Sequence, residues 1–418
     1  MKLYINEKYT YLFMKVVIVG AGPAGIYAAL NLSKHAKVTL IEREERLGGT
    51  CVLYGCIPTK SMLHPLISLK QKTEFTLHSL RENAINSINT ISKNLEQLLL
   101  SHDIEVIHAN GFLRSSIVNA GNTSLAADKI LITTGTRREK LDGIRFTEDL
   151  AYSKDDYNSV IVVGGDVGGI ELSWMMRKLG KEVHLIDKNN ALLQNVDNTL
   201  SEIVTNYLAQ MGVKLHLGRS TSKINSNSVV LESGEIISAD SVFVTFGRKP
   251  NIEGFEEIAH NKYINVDEYL RTQVPNIYAA GDIIGTFTAH EAIYGGIIAA
   301  RNILGENREF LVEGIPKVIY IHPQIAYVGV MSGKCVTLNT LSLTRTIIER
   351  EDEGFLKLCA RDDRITGAVA FMPNAEDVIS IISILIRYQI PLKDAVNLVL
   401  PHPSYLEAVT EALMKLES

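Results

Sequence analysis

Two stretches of this chain repeat one another element by element, and that repeat limits the architectures open to it. In the first, VVIVG (Val16–Gly20) is followed by a glycine turn and then VTLIE (Val38–Glu42). In the second, VIVVG (Val160–Gly164) is followed by a similar turn and then VHLID (Val183–Asp187). Lys15–Gly20 and Ser159–Gly164 are β-branched and continuous rather than alternating, which predicts buried parallel strands. An amphipathic helix is expected after each turn, to about Lys34 in the first copy and over Val167–Leu179 in the second. Lys37–Glu42 and Glu182–Asp187 then close each unit as strands that end in an acid. A duplicated strand–turn–helix–strand unit implies two dinucleotide-binding domains on one chain, and hence an α/β fold with two Rossmann-like sheets.

At 418 residues the chain exceeds one compact core. The boundaries expected are an N-terminal extension (1–13), a first dinucleotide-binding segment (14–150), a second dinucleotide-binding domain (151–272), a return to the first domain (273–312) and a C-terminal α+β domain (313–418). The last is read from strands at Lys317–Ile321, Phe355–Ala360 and Gly367–Phe371 and helices at Glu376–Arg387 and Ser404–Leu416. A further helix is patterned over Phe75–Leu100. Val378–Ile386 is too apolar to face water freely, so a core or a partner chain should cover it.

With 42 Lys plus Arg against 47 Asp plus Glu the net charge is −5, so no basic footprint points to nucleic acid. No apolar run reaches the roughly 18–20 residues of a membrane span, and the first residues carry Glu and Lys where a signal peptide would be apolar. A cytoplasmic protein with no membrane association is the expectation. Four cysteines are too few for a disulfide scaffold.

The first turn reads Gly20-Ala-Gly22-Pro-Ala-Gly25. Gly20 allows the tight turn, Gly22 lets the backbone approach a pyrophosphate, and Gly25 lets helix and strand pack closely. The helix N-terminus offers N–H groups and partial positive charge to phosphates, and Glu42 stands where it can accept a ribose hydroxyl. Just beyond lies GGTCVLYGCIPTK (Gly48–Lys60), which holds half of the cysteines within six residues. Zinc would want more ligands at closer spacing. A pair that cycles between disulfide and dithiol fits better, two buried structural thiols being the alternative. Cys335 and Cys359 have no such context and are expected to be ordinary buried or half-buried thiols.

GGTCVLYGCIPTK resembles the redox-disulfide signature of the class I pyridine nucleotide–disulfide oxidoreductases, most of all the dihydrolipoamide dehydrogenases. Further stretches carry the resemblance along the chain after Met14: ILITTGTR (Ile130–Arg137), VFVTFGRKPN (Val242–Asn251), VPNIYAAGD (Val274–Asp282), YIHPQIAYVG (Tyr320–Gly329) and LPHPSYLEA (Leu400–Ala408). The resemblance implies FAD held by Gly20, Gly22, Gly25, Glu42, Gly49, Thr50, Lys60, Leu113, Thr134, Gly135, Thr136, Asp282, Ala289 and His290. It implies NAD at Gly164, Gly169, Asp187 and Gly247. Cys51 would exchange with the substrate thiol and Cys56 would lie against the flavin. Lys60 would sit beside the flavin, paired with Glu171. His402 and Glu407 match the family's acid–base dyad, which a thiol needs in order to lose its proton before attack. In this family the dyad comes from the other subunit, so a homodimer is implied.

The chain departs from the family pattern where Asp166 replaces the second glycine of the second turn, and at Leu400, Gly295 and Gln324. Asp187 without a following Arg favours NAD over NADP, while Asp166 is expected to weaken NAD binding. The function expected is therefore an NAD-linked, FAD-dependent dithiol–disulfide oxidoreductase acting on a lipoyl carrier domain or a small dithiol. Its rivals are a reductase of another disulfide, such as glutathione, and a degenerate flavoprotein that serves as a binding subunit. Mercuric reductase is disfavoured because no terminal cysteine pair is present.

Overall fold

The computed structural model describes residues 14–68, 75–139 and 143–417; the extension expected over 1–13 lies outside them. The chain separates into two compact units. Among the described residues, one comprises 14–56, 88–137 and 248–311; the other comprises 57–68, 75–87, 138–139, 143–247 and 312–417.

In the first unit, five parallel strands follow the order Ile277–Ala279, Lys129–Ile132, Met14–Val19, Ala36–Glu42, Glu105–His108. The central strand, Met14–Val19, is buried from Val16 onward, as a strand covered on both faces must be. Helix Pro23–Leu32 starts with proline in its first turn, where the missing N–H costs nothing. Helix Ala289–Ile303 packs on it so closely that a Cβ on Gly296 would lie 2.2 Å from the Ala24 carbonyl oxygen. A three-stranded antiparallel sheet of Gly111–Arg114, Ile117–Ala120 and Thr123–Leu125 completes this unit.

The second unit repeats the parallel design with strands in the order Lys214–Leu217, Glu182–Asp187, Ser159–Val163, Ser241–Val244, Arg145–Phe146. Helices Val167–Lys178 and Asn198–Gln210 belong to it, the first holding the fully buried Trp174. The C-terminal part of the same unit is a five-stranded antiparallel sheet in the order Lys317–Ile319, Gln324–Gly329, Arg364–Met372, Phe355–Arg361, Lys334–Asn339. Helices Ala375–Arg387 and Glu407–Glu417 share its apolar core. Val378, Ile379 and Ile382 are fully buried there, so a core covers much of this apolar run, one of the two covers expected for it.

Two expectations for this C-terminal part need correction. It has two more strands than the pattern suggested: Gln324–Gly329, and the edge strand Lys334–Asn339, whose mixed KCVTLN sequence hides its half-covered face. Cys335 and Cys359 are not separate thiols but a disulfide. They stand directly opposite each other on the antiparallel strands Lys334–Asn339 and Phe355–Arg361. A pairing register is set by turns and by burial of one face, neither of which a single sequence discloses over 24 residues.

Candidate active site

The first dinucleotide turn has the geometry its glycines predict. Gly20 adopts φ +110°, and a Cβ there would lie 2.4 Å from the Thr133 carbonyl oxygen. A Cβ on Gly25 would lie 1.9 Å from the Gly20 carbonyl oxygen, so helix and strand meet only because both positions lack side chains. Thr133 fastens the turn by donating its hydroxyl to the carbonyls of Val19 and Gly20. Glu42 accepts from the Ala21 N–H at 2.7 Å and from the Glu44 N–H at 3.0 Å, which sets its carboxylate at the loop. No side chain caps the helix at Gly22, so its first N–H groups face the turn. This is a cradle for a pyrophosphate, and the residues present fit FAD.

The second turn copies the first. Gly164 has φ +111°, and a Cβ on Gly169 would lie 1.8 Å from the Gly164 carbonyl oxygen. Thr245 donates to the carbonyls of Val163 and Gly164, the role of Thr133 in the first turn. Asp187 accepts from the Gly165 N–H, as Glu42 does from Ala21. The difference lies at Asp166, the residue before helix Val167–Lys178, whose side chain caps nothing. Asp166 is exposed at the surface, yet partial loss of surrounding water, and then the Asp187 carboxylate, push its carboxyl above the usual range. The backbone of this turn matches the first, and the Asp166 carboxyl is what sets it apart.

Beyond the first turn, Gly48 and Gly49 both take positive φ, at +116° and +56°. They lead into a short helix, Gly49–Leu53, that carries Cys51. Gly55 closes the turn by donating to the Thr50 carbonyl, and a 13-residue helix, Cys56–Ser68, then begins at Cys56 itself. A helix N-terminus favours an anionic sulfur. Both cysteines are half-buried.

The Thr134–Thr136 stretch is held by Asn251, which donates to the Thr134 carbonyl at 2.7 Å. Thr136 is buried and donates its hydroxyl to Asp282 at 3.2 Å. Burial drives the Asp282 carboxyl up to about 6, opposed by the nearby Arg248 guanidinium. A carboxyl so placed suits the hydroxyls of a bound ribityl chain. Arg248, which sequence reasoning gave no role, links three parts of this unit. It donates to the Thr136 hydroxyl (2.7 Å), to the Thr136 carbonyl (2.9 Å) and to the Thr50 hydroxyl (3.2 Å). Its signal was the VFVTFGRKPN stretch. Ala289 and His290 open helix Ala289–Ile303, where Thr288 and Glu291 form a capping box. Leu113 is buried and its N–H is already donated to the Gly254 carbonyl at 2.8 Å, so it brings no amide donor to an adenine. Gly135 and Gly247 adopt positive φ with open space around them.

In the second unit Lys60 meets Glu171 through two contacts of 2.9 Å. Glu171 is buried and also accepts the Tyr320 N–H at 2.9 Å, while the Tyr320 ring lies 4.8 Å from Lys60 Nζ. Two donor groups, Lys60 Nζ and the Tyr320 N–H, therefore satisfy one buried carboxylate through three contacts. Tyr320 is a second residue that sequence reasoning left without a role, although it begins the quoted YIHPQIAYVG stretch. Near the C-terminus, His402 Nδ1 lies 2.6 Å from Glu407 Oε1, Glu407 being the first residue of helix Glu407–Glu417. With Nδ1 engaged, the exposed imidazole presents Nε2 outward.

Residues 14–296 match the family described as pyridine nucleotide-disulphide oxidoreductase, and residues 315–413 match the dimerisation domain of that family. The chain belongs to this family. Its members bind FAD and NAD(P). Relatives of this oxidoreductase include the dihydrolipoyl dehydrogenase of Chlamydia pneumoniae, 28% identical over 95% of this chain and 96% of that one. A dihydrolipoyl dehydrogenase of Bacillus subtilis (strain 168) is 27% identical over 96% of this chain and 98% of its own. Among solved structures, LpdA from Mycobacterium tuberculosis superposes with a TM-score of 0.89 at 24% identity, covering 96% of this chain and 99% of that one. The HOCl-induced flavoprotein disulfide reductase RclA from Escherichia coli gives 0.86 at 23%, with the same coverage. These likenesses fix the α/β fold of the oxidoreductase. Among its described residues, no helix is long and apolar enough to cross a membrane.

Proposed function

We propose that this oxidoreductase exchanges electrons between a dithiol, on a lipoyl carrier domain or a small molecule, and a disulfide formed by Cys51 and Cys56. The observation that carries the reading is the helix Cys56–Ser68, which starts at one cysteine and places Lys60 one turn later, on the same face. Lys60 is held there by a buried carboxylate. Such an arrangement suits an anionic sulfur at the helix N-terminus and a fixed cation beside it.

His402 takes the proton of one substrate thiol through Nε2, while Glu407 holds the ring. The resulting thiolate attacks Cys51 Sγ, the Cys51–Cys56 bond breaks, and Cys56 leaves as thiolate. The second substrate thiol displaces Cys51 from the mixed disulfide, so the substrate leaves oxidised and the protein holds two electrons and two reduced sulfurs. FAD, when bound, supplies a two-electron acceptor, and Gly20, Gly22, Gly25, Glu42, Thr136 and Asp282 would hold it. The protein acts as a homodimer in which His402 and Glu407 serve the cysteines of the other subunit, a reading supported by the dimerisation-domain match.

Asp166 favours weak use of NAD(H). The same backbone that would cradle a pyrophosphate adds a carboxylate to it, so electrons leave through NAD at high nucleotide concentration or through another carrier. Stopped-flow reduction of the purified protein, with dihydrolipoamide and with NADH in separate runs, tests the reading. Fast reduction by the dithiol and slow, weakly saturating reduction by NADH is expected. Fast reduction by NADH with none by any dithiol would overturn it.

A further inference from the structure

Cys335 and Cys359 form a disulfide far along the chain from Cys51 and Cys56, and the assignment above gives it no task. We propose that it is a second redox couple, opened by dithiols at Cys335 and closed again by small disulfides. Three observations carry this. The two residues face each other in register across an antiparallel pair, with Cα atoms 4.1 Å apart, the closeness of a non-hydrogen-bonded pair. The thiols can therefore stay adjacent without the sulfur–sulfur bond, because the strand ladder holds them and neither strand must slip. Lys334–Asn339 is an edge strand of its sheet, so one side of the couple borders solvent. Finally, the two sulfurs are unequal: Cys335 is exposed and Cys359 is fully buried.

That asymmetry sets the direction of attack. Exchange runs through an in-line approach in which the leaving sulfur lies opposite the attacker. A thiolate arriving from solvent reaches Cys335 Sγ with Cys359 behind it. A bond forms between the incoming sulfur and Cys335, the Cys335–Cys359 bond breaks, and Cys359 departs with the electron pair and takes up a proton. The second thiol of the same dithiol then displaces Cys335, which also ends protonated. The dithiol leaves as its cyclic disulfide, and its two electrons and two protons rest on the two cysteine thiols. A small cyclic disulfide reverses every step.

Opening the couple changes a defined part of the fold. Lys334, next to Cys335, donates from Nζ to the Leu416 carbonyl at 3.0 Å, tying the edge strand to the last turn of helix Glu407–Glu417. Leu338, Leu358, Val409, Leu413 and Leu416 lie in one apolar cluster beneath these elements. Removing the cross-link keeps the ladder in register but lets the edge strand, and the helix laid on it, open transiently more often.

The test uses the full-length chain with Cys51→Ser and Cys56→Ser, so that no active-site exchange is read and a failure of the proposed function cannot mimic the result. The protein is equilibrated with graded ratios of dihydrolipoamide to lipoamide, alkylated and peptide-mapped. The expected outcome is a linked 335/359 peptide under oxidising ratios and doubly alkylated thiols under reducing ones, reversible in both directions. Hydrogen exchange over 334–339 and 407–417 should rise about tenfold on reduction, and should not respond in a chain carrying Cys335→Ser and Cys359→Ser. Alkylation of both cysteines before any reductant is added would overturn the proposal. So would a bond that opens only after the chain is unfolded in urea, the behaviour of a structural staple.

Discussion

Asp166 occupies in the second dinucleotide turn the position that Gly22 occupies in the first, with φ/ψ of −75°/−176° against −78°/−176°. Both angles are extended backbone that any residue adopts, so the exchange of glycine for aspartate costs no strain. Under the proposed function its cost falls on the ligand. A carboxylate about 5 Å from a phosphate charge, at an effective dielectric between 20 and 80, is repelled by roughly 1–3 kcal/mol. Since about 1.4 kcal/mol is tenfold in affinity, Asp166→Gly should tighten NADH binding by one to two decades. Flavin reduction by dithiols should be unchanged. Fluorescence titration of NADH against both proteins checks this, and equal dissociation constants in the low micromolar range would contradict it.

The same carboxyl gives a pH dependence. It is raised by desolvation and by Asp187, so it takes up its proton earlier than an ordinary aspartate as pH falls. Protonation removes the repulsion, and NADH affinity of the unmodified protein should climb as pH drops from neutral toward the ordinary aspartate range. Asp166→Asn should flatten that climb. Titrations at several pH values read both curves, and parallel slopes in the two proteins would assign the effect elsewhere.

Asp282 offers a stability test of its burial. Its folded-state carboxyl titrates at about 6 against roughly 3.9 unfolded. The folded chain thus binds that proton more tightly than the unfolded chain does. Above pH 6 the charged group destabilises the FAD-free protein, by on the order of 2–3 kcal/mol. The penalty fades as pH falls through 6 and is gone below about 4. Asp282→Asn should therefore stabilise the FAD-free chain at pH 7.5 and lose that advantage near pH 4.5, as urea unfolding at the two values would show. The same variant should bind FAD less tightly. Gained stability with lost cofactor affinity is the signature of a group kept for its ligand.

The Lys60–Glu171 pair makes the opposite prediction. Lys60→Met leaves the buried Glu171 carboxylate with the Tyr320 N–H and no cation, which should cost about 2–4 kcal/mol in urea unfolding, a little under the fully buried case because Lys60 is partly exposed. Adding Glu171→Gln to that variant should recover more than half of the loss. A strictly additive double mutant would mean that the two side chains do not depend on each other.

What the sequence disclosed and what it hid divide along physical lines. The duplicated turns were legible because glycine is demanded where a Cβ would strike a carbonyl, as at Gly25 and Gly169, and such demands leave one permitted residue. The parallel strands were legible from continuous β-branched runs. Arg248 and Tyr320 stood inside recognisable stretches, yet their roles come from partners far along the chain: Thr50 and Thr136 for one, Glu171 for the other. The Cys335–Cys359 bond was hidden for the same reason. Strand Lys334–Asn339 alternates only weakly, so neither the strand nor its register could be read, and a disulfide follows from register.

The division of labour between subunits is the sharpest remaining test of the proposed chemistry. His402 is exposed, and with Nδ1 on Glu407 its Nε2 is left to serve a group outside its own helix under the proposal. Cys51 and His402 lie far apart in sequence and in different compact units. Under the proposal, each site takes Cys51 from one subunit and His402 from the other. His402→Gln and Cys51→Ser should each abolish turnover with dihydrolipoamide almost completely, because one removes the base and the other the attacked sulfur. When the two inactive proteins are mixed and allowed to exchange subunits, about half of the dimers should be hybrids. One of the two sites in each hybrid then holds both an intact cysteine pair and an intact histidine, and the other holds neither. Recovery of about a quarter of the wild-type rate follows. If each site were built within a single chain, every site in the hybrid would lack one group and nothing would return. Differently tagged subunits show whether exchange has occurred, so a null result after verified exchange counts against the shared site.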